Sequence, residues 1–148
     1  MSAGSRLTLT ARPARDAAEV QAAMDLRVGV FCDEQGVDPK AELDALDDEA
    51  TQIVALDDRV VIATCRLRFL DGECKLERMA VERPYRGAGV GRRLLEAAED
   101  EARRRGASEM LLHAQRRAEG FYAAAGYVAE GETFIEEGIE HVRMRKAL

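Results

Sequence analysis

The chain has 148 residues, 47% hydrophobic and 34% charged, which suits one core beneath a strongly polar surface. Those fractions exclude collagen-like, low-complexity and wholly disordered readings. A net charge of -6, 5% aromatics and no Trp argue against a general nucleic-acid or anionic-membrane binder.

In chain order, the alternation Leu7–Thr8–Leu9–Thr10 predicts a short strand. Ala17 to Phe31 predicts a helix with Val20, Ala23, Met24, Val28 and Phe31 on its apolar side; Asp16 is its N-cap and Glu19 completes a capping box. Cys32 to Ala50 is acidic and aperiodic, holds Gly36 and Pro39, and reads as a loop with one helical turn. Gln52–Leu56, Val60–Leu70 and Cys74–Val81 read as three strands joined by the turns Asp57–Arg59 and Asp71–Gly72, an antiparallel meander. Val90, Leu94, Leu95, Ala98 and Ala102 then mark one face of a helix reaching about Arg105, with Gly106 as its stop. A strand at Met110–Ala114, a short helix at Ala118–Ala125 and a hairpin of Tyr127–Ile135 with Ile139–Met144 complete one α/β domain over residues 1–148, without linker or repeat.

Cys32, Cys65 and Cys74 lack the paired spacing of a disulfide scaffold and read as small apolar residues. His113 and His141 have no metal-binding companions in sequence, so no metal site is expected, and His141 receives no role. Met1–Ala11 lacks the apolar core of a secretory signal and no later stretch could span a bilayer, so the expected compartment is the cytoplasm.

The chemistry begins with Arg86–Gly87–Ala88–Gly89–Val90–Gly91, between the last meander strand and the long helix. Glycines there let several backbone N–H groups converge beside a helix N-terminus, a seat for a phosphate or diphosphate. From Glu82 to Arg93 four arginines (Arg83, Arg86, Arg92, Arg93) face one glutamate where the helix dipole disfavours cations, a conflict that an anionic ligand resolves. The spacing fits neither the dinucleotide fingerprint nor a P-loop. The plain alternative is an exposed glycine-rich turn with solvated arginines.

With Leu76–Val81 before it, this loop resembles the acetyl-CoA signature of the GNAT superfamily of N-acetyltransferases, and Phe121–Tyr122–Ala123–Ala124–Ala125–Gly126–Tyr127 resembles a second superfamily segment. Val30–Val37 with Glu42, Leu43 and Asp44, together with His113–Ala114–Gln115 and Gly138–Met144, resemble its ElaA/YjcF-like branch. The resemblance implies a single-domain GNAT fold: a mixed, mostly antiparallel sheet split by a V-shaped opening, with helices on both faces. It implies that the backbone of Met79, Ala80 and Val81 meets the pantetheine arm of acetyl-CoA. Arg86, Gly87, Ala88, Gly89, Val90, Gly91 and Arg92 would hold the diphosphate.

The resemblance further implies transfer of an acetyl group to a primary amine of a small molecule or peptide, expected to proceed by direct attack. An alkylamine pKa of about 10.4 requires a proton acceptor. Tyr122 falls where many members carry the tyrosine that protonates the CoA sulfur, though a packing role is the alternative. Glu77, expected by strand alternation to share a face with Met79 and Val81, is a candidate base or water holder; His113 and a water chain are the others. Gln115 is expected to hydrogen-bond pantetheine or acceptor, although the Asn often found nearby is absent. Glu34, Gln35, Glu42 and Asp44 make the acceptor mouth acidic, attractive to a cationic amine or merely solvated. A CoA-binding module without turnover and a nucleotide-binding domain are the competing readings, and the superfamily leaves a homodimer open.

Overall fold

The computed structural model describes residues 7–148, so the part of the Met1–Ala11 reading on residues 1–6 lies outside the described residues. Seven strands form one sheet in the order β1-β2-β3-β4-β5-β7-β6. β1 is Leu9–Pro13, displaced from the expected Leu7–Thr10 because Leu9 to Pro13 pair in register with Asp57 to Ile53. Pro13, which has no N–H for a ladder, ends this edge strand.

α1 (Ala17–Arg27) starts at Asp16, whose carboxylate accepts the Glu19 N–H at 2.8 Å. Glu19 does not return the bond to Asp16; it accepts the Arg15 N–H and the Arg12 guanidinium instead. The helix does not stop at Phe31. Wider π-type turns carry it from Val28 to Glu34, bringing Glu34 and Gln35 over the sheet. The acidic segment holds the expected helical turn, α2 (Pro39–Glu42), and a 3-10 turn at Asp47–Glu49.

The meander forms as β2 (Thr51–Asp57), β3 (Val60–Leu70) and β4 (Glu73–Val81), all antiparallel. Its tight turns place Asp58, Asp71 and Gly72 at positive φ. α3 (Val90–Arg104) crosses over to β5 (Glu109–Gln115), which runs parallel to β4. α4 (Glu119–Ala124) leads to the hairpin β6 (Val128–Glu136) and β7 (Ile139–Ala147), with β7 lying between β5 and β6.

The main core lies between the sheet and α3 with α4, where Ile53, Cys65, Leu67, Leu76, Leu94, Leu95, Met110, Leu112 and Met144 meet. The opposite face is covered by α1 and its π-type extension, through Ala23 on Val54 and Leu56, and Leu26 and Val30 on Ala80. Among the described residues no helix is long and apolar enough to cross a membrane.

Candidate active site

β4 and β5 pair only from Glu73–Leu76 opposite Glu109–Leu112. Beyond Leu76 and Leu112 both strands continue unpaired with each other, so the sheet opens there as a V. A local device on β4 supports the divergence. Thr64 pairs with Ala80 but Arg66 with Glu77, so Arg78 and Met79 together oppose Cys65 in a β-bulge, and Arg78 adopts a left-handed φ of 58°.

The bulge reverses the side-chain alternation. Cys74 and Leu76 point into the α3 core before it; Met79 and Val81 pack on that core after it, while Ala80 turns to α1. Glu77 therefore lies on the opposite face from Met79 and Val81, which corrects the shared face that plain alternation predicts. The backbone follows a matching logic. Glu82 N–H donates to the Ile62 carbonyl toward β3, whereas the Val81 carbonyl accepts Arg86 Nε at 2.8 Å. Alternation from that point aims the main-chain groups of Val81 and Met79 into the split.

The glycine loop lies at the α3 end of the split. Gly87 and Gly89 have φ of 81° and 82°, and a Cβ at either would meet nothing within 4 Å. The first helical bond is Arg93 N–H to the Gly89 carbonyl at 3.2 Å. The amides of Gly87 to Arg92 thus have no acceptor among the described residues, and they surround open space at the helix start. Such amides fit a diphosphate. Gly91 has a different reason: its Cβ would touch the Phe121 ring at 3.4 Å, so its absence lets α4 close on α3.

The arginines divide. Arg92 and Arg93 are exposed, without an ion-pair partner among the described residues. Arg86 and Arg83 are held by Glu34, at 2.9 and 3.2 Å. The local positive excess expected around the loop is therefore reduced by one charge, from a residue 52 positions before Arg86, and Arg86 acts as a strut from Val81 to Glu34.

Tyr122 on α4 is buried on the same face, and its hydroxyl meets Met79 Sδ at 3.4 Å beside the split. Burial raises its pKa, so the phenol is protonated at any working pH. Phe121 and Tyr127 hold it edge-on, with centroids 5.0 and 5.8 Å away.

The other face is built from side chains. Arg66, buried on β3, binds Asp44 at 2.8 Å, Glu77 at 2.8 Å and Asp47 at 3.4 Å. Arg27, buried on α1, binds Glu42 and Asp47, each at 2.7 Å. Glu77 also takes Arg68 at 2.6 Å and Lys75 at 3.2 Å. These cations, outweighing burial, hold the Glu77 carboxyl down from 4.5 to about 2, and hydrogen bonds from Arg66 chiefly lower Asp44. The carboxylates of the expected acidic mouth are thus engaged by arginines: Glu34 on the rim, Glu42 and Asp44 in the network. Arg27 and Arg66 were not singled out by sequence reasoning, although a cation flanked by Leu26 and Val28, or by Cys65 and Leu67, is a signal of buried pairing.

β5 and the hairpin complete this face. His113 Nδ1 lies 3.3 Å from Glu136 Oε1, and burial lowers its pKa. His141, given no role by sequence, has Nδ1 2.7 Å from the Ile139 carbonyl and Nε2 3.8 Å from Glu136 Oε2. A carbonyl only accepts, so Nδ1 carries the proton and Nε2 of the neutral ring keeps its lone pair. Phe134 separates the two imidazoles, edge-on to one and stacked on the other. Gln115 bonds Gln35 at 2.8 Å and Arg117 at 3.0 Å, tying the end of β5 to the end of the α1 extension. One cavity of about 1350 Å³ reaches both faces, lined by the glycine loop, Met79 and Tyr122 and by Lys75, Arg78, His113 and His141.

The family profile described as "Acetyltransferase (GNAT) domain" matches residues 19–148. The chain belongs to the GNAT acetyltransferase family. Within it, the chain is similar to YjcF of Bacillus subtilis, named as an uncharacterized N-acetyltransferase, at 37% identity over 90% of this chain and 96% of that protein. A solved acyl-CoA N-acyltransferase from Pseudomonas aeruginosa is 29% identical, covers 96% of this chain and 100% of its own, and superposes with a TM-score of 0.82. Escherichia coli ElaA shares the fold at a TM-score of 0.81 and 22% identity, over 95% of this chain and 99% of its own. The YjcF likeness supports the ElaA/YjcF-like branch, and the ElaA likeness shows the shared fold.

Proposed function

We propose that the protein is an acetyl-CoA-dependent N-acetyltransferase whose split sheet lets the two substrates meet from opposite faces. The observation that carries this reading is the set of free amides from Gly87 to Arg92, in line with the unpaired edge of β4 and the buried Tyr122 hydroxyl. Those amides hold the diphosphate, and the Met79 and Val81 main chain pairs with the pantetheine arm. Acetyl-CoA supplies an activated carbonyl and a thiol leaving group. The Met79 or Val81 N–H polarises that carbonyl oxygen.

On the acceptor face the proton-accepting group is an imidazole of the His113–His141 pair. Burial keeps His113 neutral near pH 7, and the Ile139 carbonyl holds a proton on His141 Nδ1, so Nε2 is the nitrogen of that ring turned to the acceptor. Glu77, held to about 2 by three cations, is instead a positioning residue for Arg66, Arg68 and Lys75. The amine lone pair forms the new C–N bond as the C–S bond breaks. Tyr122 gives its proton to the departing sulfur and the histidine takes the surplus proton from nitrogen.

The test is thiol release from acetyl-CoA across a panel of amines, with Tyr122→Phe beside the wild type. The variant is expected to lose about 100-fold in kcat while its Kd for acetyl-CoA stays within about twofold. Unchanged kcat returns Tyr122 to packing. Acetyl-CoA binding without release from any amine favours a binding module.

A further inference from the structure

Among the described residues, the ion-pair network behind the acceptor-side wall of the cavity holds one more cation than carboxylate. Arg27, Arg66, Arg68, Lys75 and Arg78 share Glu42, Asp44, Asp47 and Glu77. Glu77 alone answers three of them, and Asp44 and Asp47 are each shared between two arginines. Of the network's members, Lys75, Arg78, Glu42, Asp44 and Glu77 line the cavity, and the two cations there keep donors that an anion from outside would satisfy.

The surplus is carried where a ligand can reach it. Arg78 and Lys75 both line the cavity, beside the mouth of the split. Arg78 uses Nη2 for the Ala41 carbonyl and Asp44, each at 3.1 Å. Its Nε is buried without a hydrogen-bond partner, 3.6 Å from Glu42, and its Nη1 has no acceptor among the described residues. The residue that presents this guanidinium is the one in the bulge, with φ of 58°. A non-glycine residue in that conformation is held there by its surroundings and is common at ligand sites. Among the described residues Lys75 makes one ion pair, to Glu77, which leaves two of its three donors without a partner there.

Across the same cavity the sign changes. Glu136 stands between His113 and His141, and Glu137 follows it on the rim. The wall is bipolar: cationic on β4, anionic with two imidazoles at the hairpin end. A zwitterion fits that arrangement, its ammonium group toward Glu136 and the histidines that accept its proton, its acid group toward Arg78 and Lys75.

Building on the acetyl-transfer reading above, we propose that the acceptor is an amine that also bears a carboxylate, and that Arg78 and Lys75 hold this carboxylate on the acceptor side of the split. The pairing specifies a small amino acid or a closely similar amino-carboxylate rather than the purely cationic amine that an acidic mouth suggests.

The experiment uses the full chain, acetyl-CoA and matched acceptors that differ only in the acid: alanine and alaninamide, β-alanine and β-alaninamide, 4-aminobutyrate and 4-aminobutanamide. Thiol release gives kcat/KM for each, and calorimetry gives the acetyl-CoA Kd. The acid of at least one pair is expected to exceed its amide by about tenfold or more, as a charge-assisted contact implies. Arg78→Gln should raise KM for that acid about tenfold with little change in its amide or in the acetyl-CoA Kd. Lys75→Gln, which leaves the bulge intact, should do the same to a smaller degree and keeps the test decisive if Arg78→Gln fails to fold. Amides accepted as well as acids, or acid-to-amide ratios unmoved in both variants, would overturn the proposal while the acetyl-transfer reading stands. Tight acetyl-CoA binding with no acid-bearing amine turned over would overturn it too. Absence of acetyl-CoA binding removes the underlying reading as well.

Discussion

On the proposed reading, the two faces of the split sheet recognise their ligands by different means. The α3 face offers main chain: amides from Gly87 to Arg92 and the unpaired edge at Met79 and Val81, with Tyr122 as the side chain proposed for chemistry. The α1 face works with side chains, nine charged groups drawn from α1, the acidic segment, β3 and β4, plus two histidines on β5 and β7. A main-chain site tolerates changes in side chains and fails when its backbone freedom is lost. A networked site holds its geometry only while all its charges are present. Substitutions separate the two.

The largest effect is expected from Glu77→Gln, which leaves Arg68 and Lys75 without their carboxylate and weakens that of buried Arg66. The cost is about 3 kcal/mol, at the lower end for a broken buried pair because Asp44 and Asp47 remain on Arg66. Urea unfolding measures it. Its pH dependence carries a second check. The folded Glu77 carboxyl sits at about 2 instead of 4.5, so its stabilisation is complete above 4.5 and is lost as the pH falls toward 2. Wild type should therefore lose more stability across that window than Glu77→Gln. Equal slopes would show that the carboxylate is not held by the network.

Next comes Gly89→Glu. A carboxylate in the open space at Gly89, forced onto a φ of 82°, should weaken acetyl-CoA binding about 100-fold in calorimetry. Gly89→Asn, whose side chain tolerates the left-handed region and carries no charge, should keep most of it. Loss in both variants makes strain the cause; loss in neither contradicts the diphosphate seat.

The histidine pair is expected to shape the rate. Burial holds His113 below its ordinary 6.5, so if it accepts the proton the acid limb of kcat/KM against pH falls below that value. His113→Gln and His141→Gln, assayed separately, identify the imidazole by which one removes the limb. A limb that survives both assigns proton removal to water. Smallest is Arg86→Ala: Arg86 is a partly exposed strut to Glu34 and the Val81 carbonyl, and its loss should change acetyl-CoA Kd by about threefold or less.

The same contrast explains what was legible in the sequence. The glycine loop, α3 with Gly106 and the meander turns are local signals, set by residues within a few positions of one another. The V-shaped opening and the family followed from motif resemblance. The face of Glu77 was not legible, because the Arg78 bulge depends on how β4 pairs with β3 and a single register shift inverts alternation. Nor was the fate of the acidic segment. Its carboxylates reach Arg27, Arg66 and Arg78, up to 36 residues away, and composition alone cannot distinguish a paired carboxylate from a solvated one. His141 acquires significance only because β7 inserts between β5 and β6 and brings it opposite Gln115.

Backbone amide NMR during an acetyl-CoA titration, without amine, tests the division between the faces most directly. The largest shifts are expected at Gly87 through Arg92 and at Met79 and Val81, with Lys75, Arg78 and Glu136 nearly still until an acceptor is added. Shifts concentrated on the α1 face, or a silent glycine loop in a protein that binds the thioester, would contradict the account.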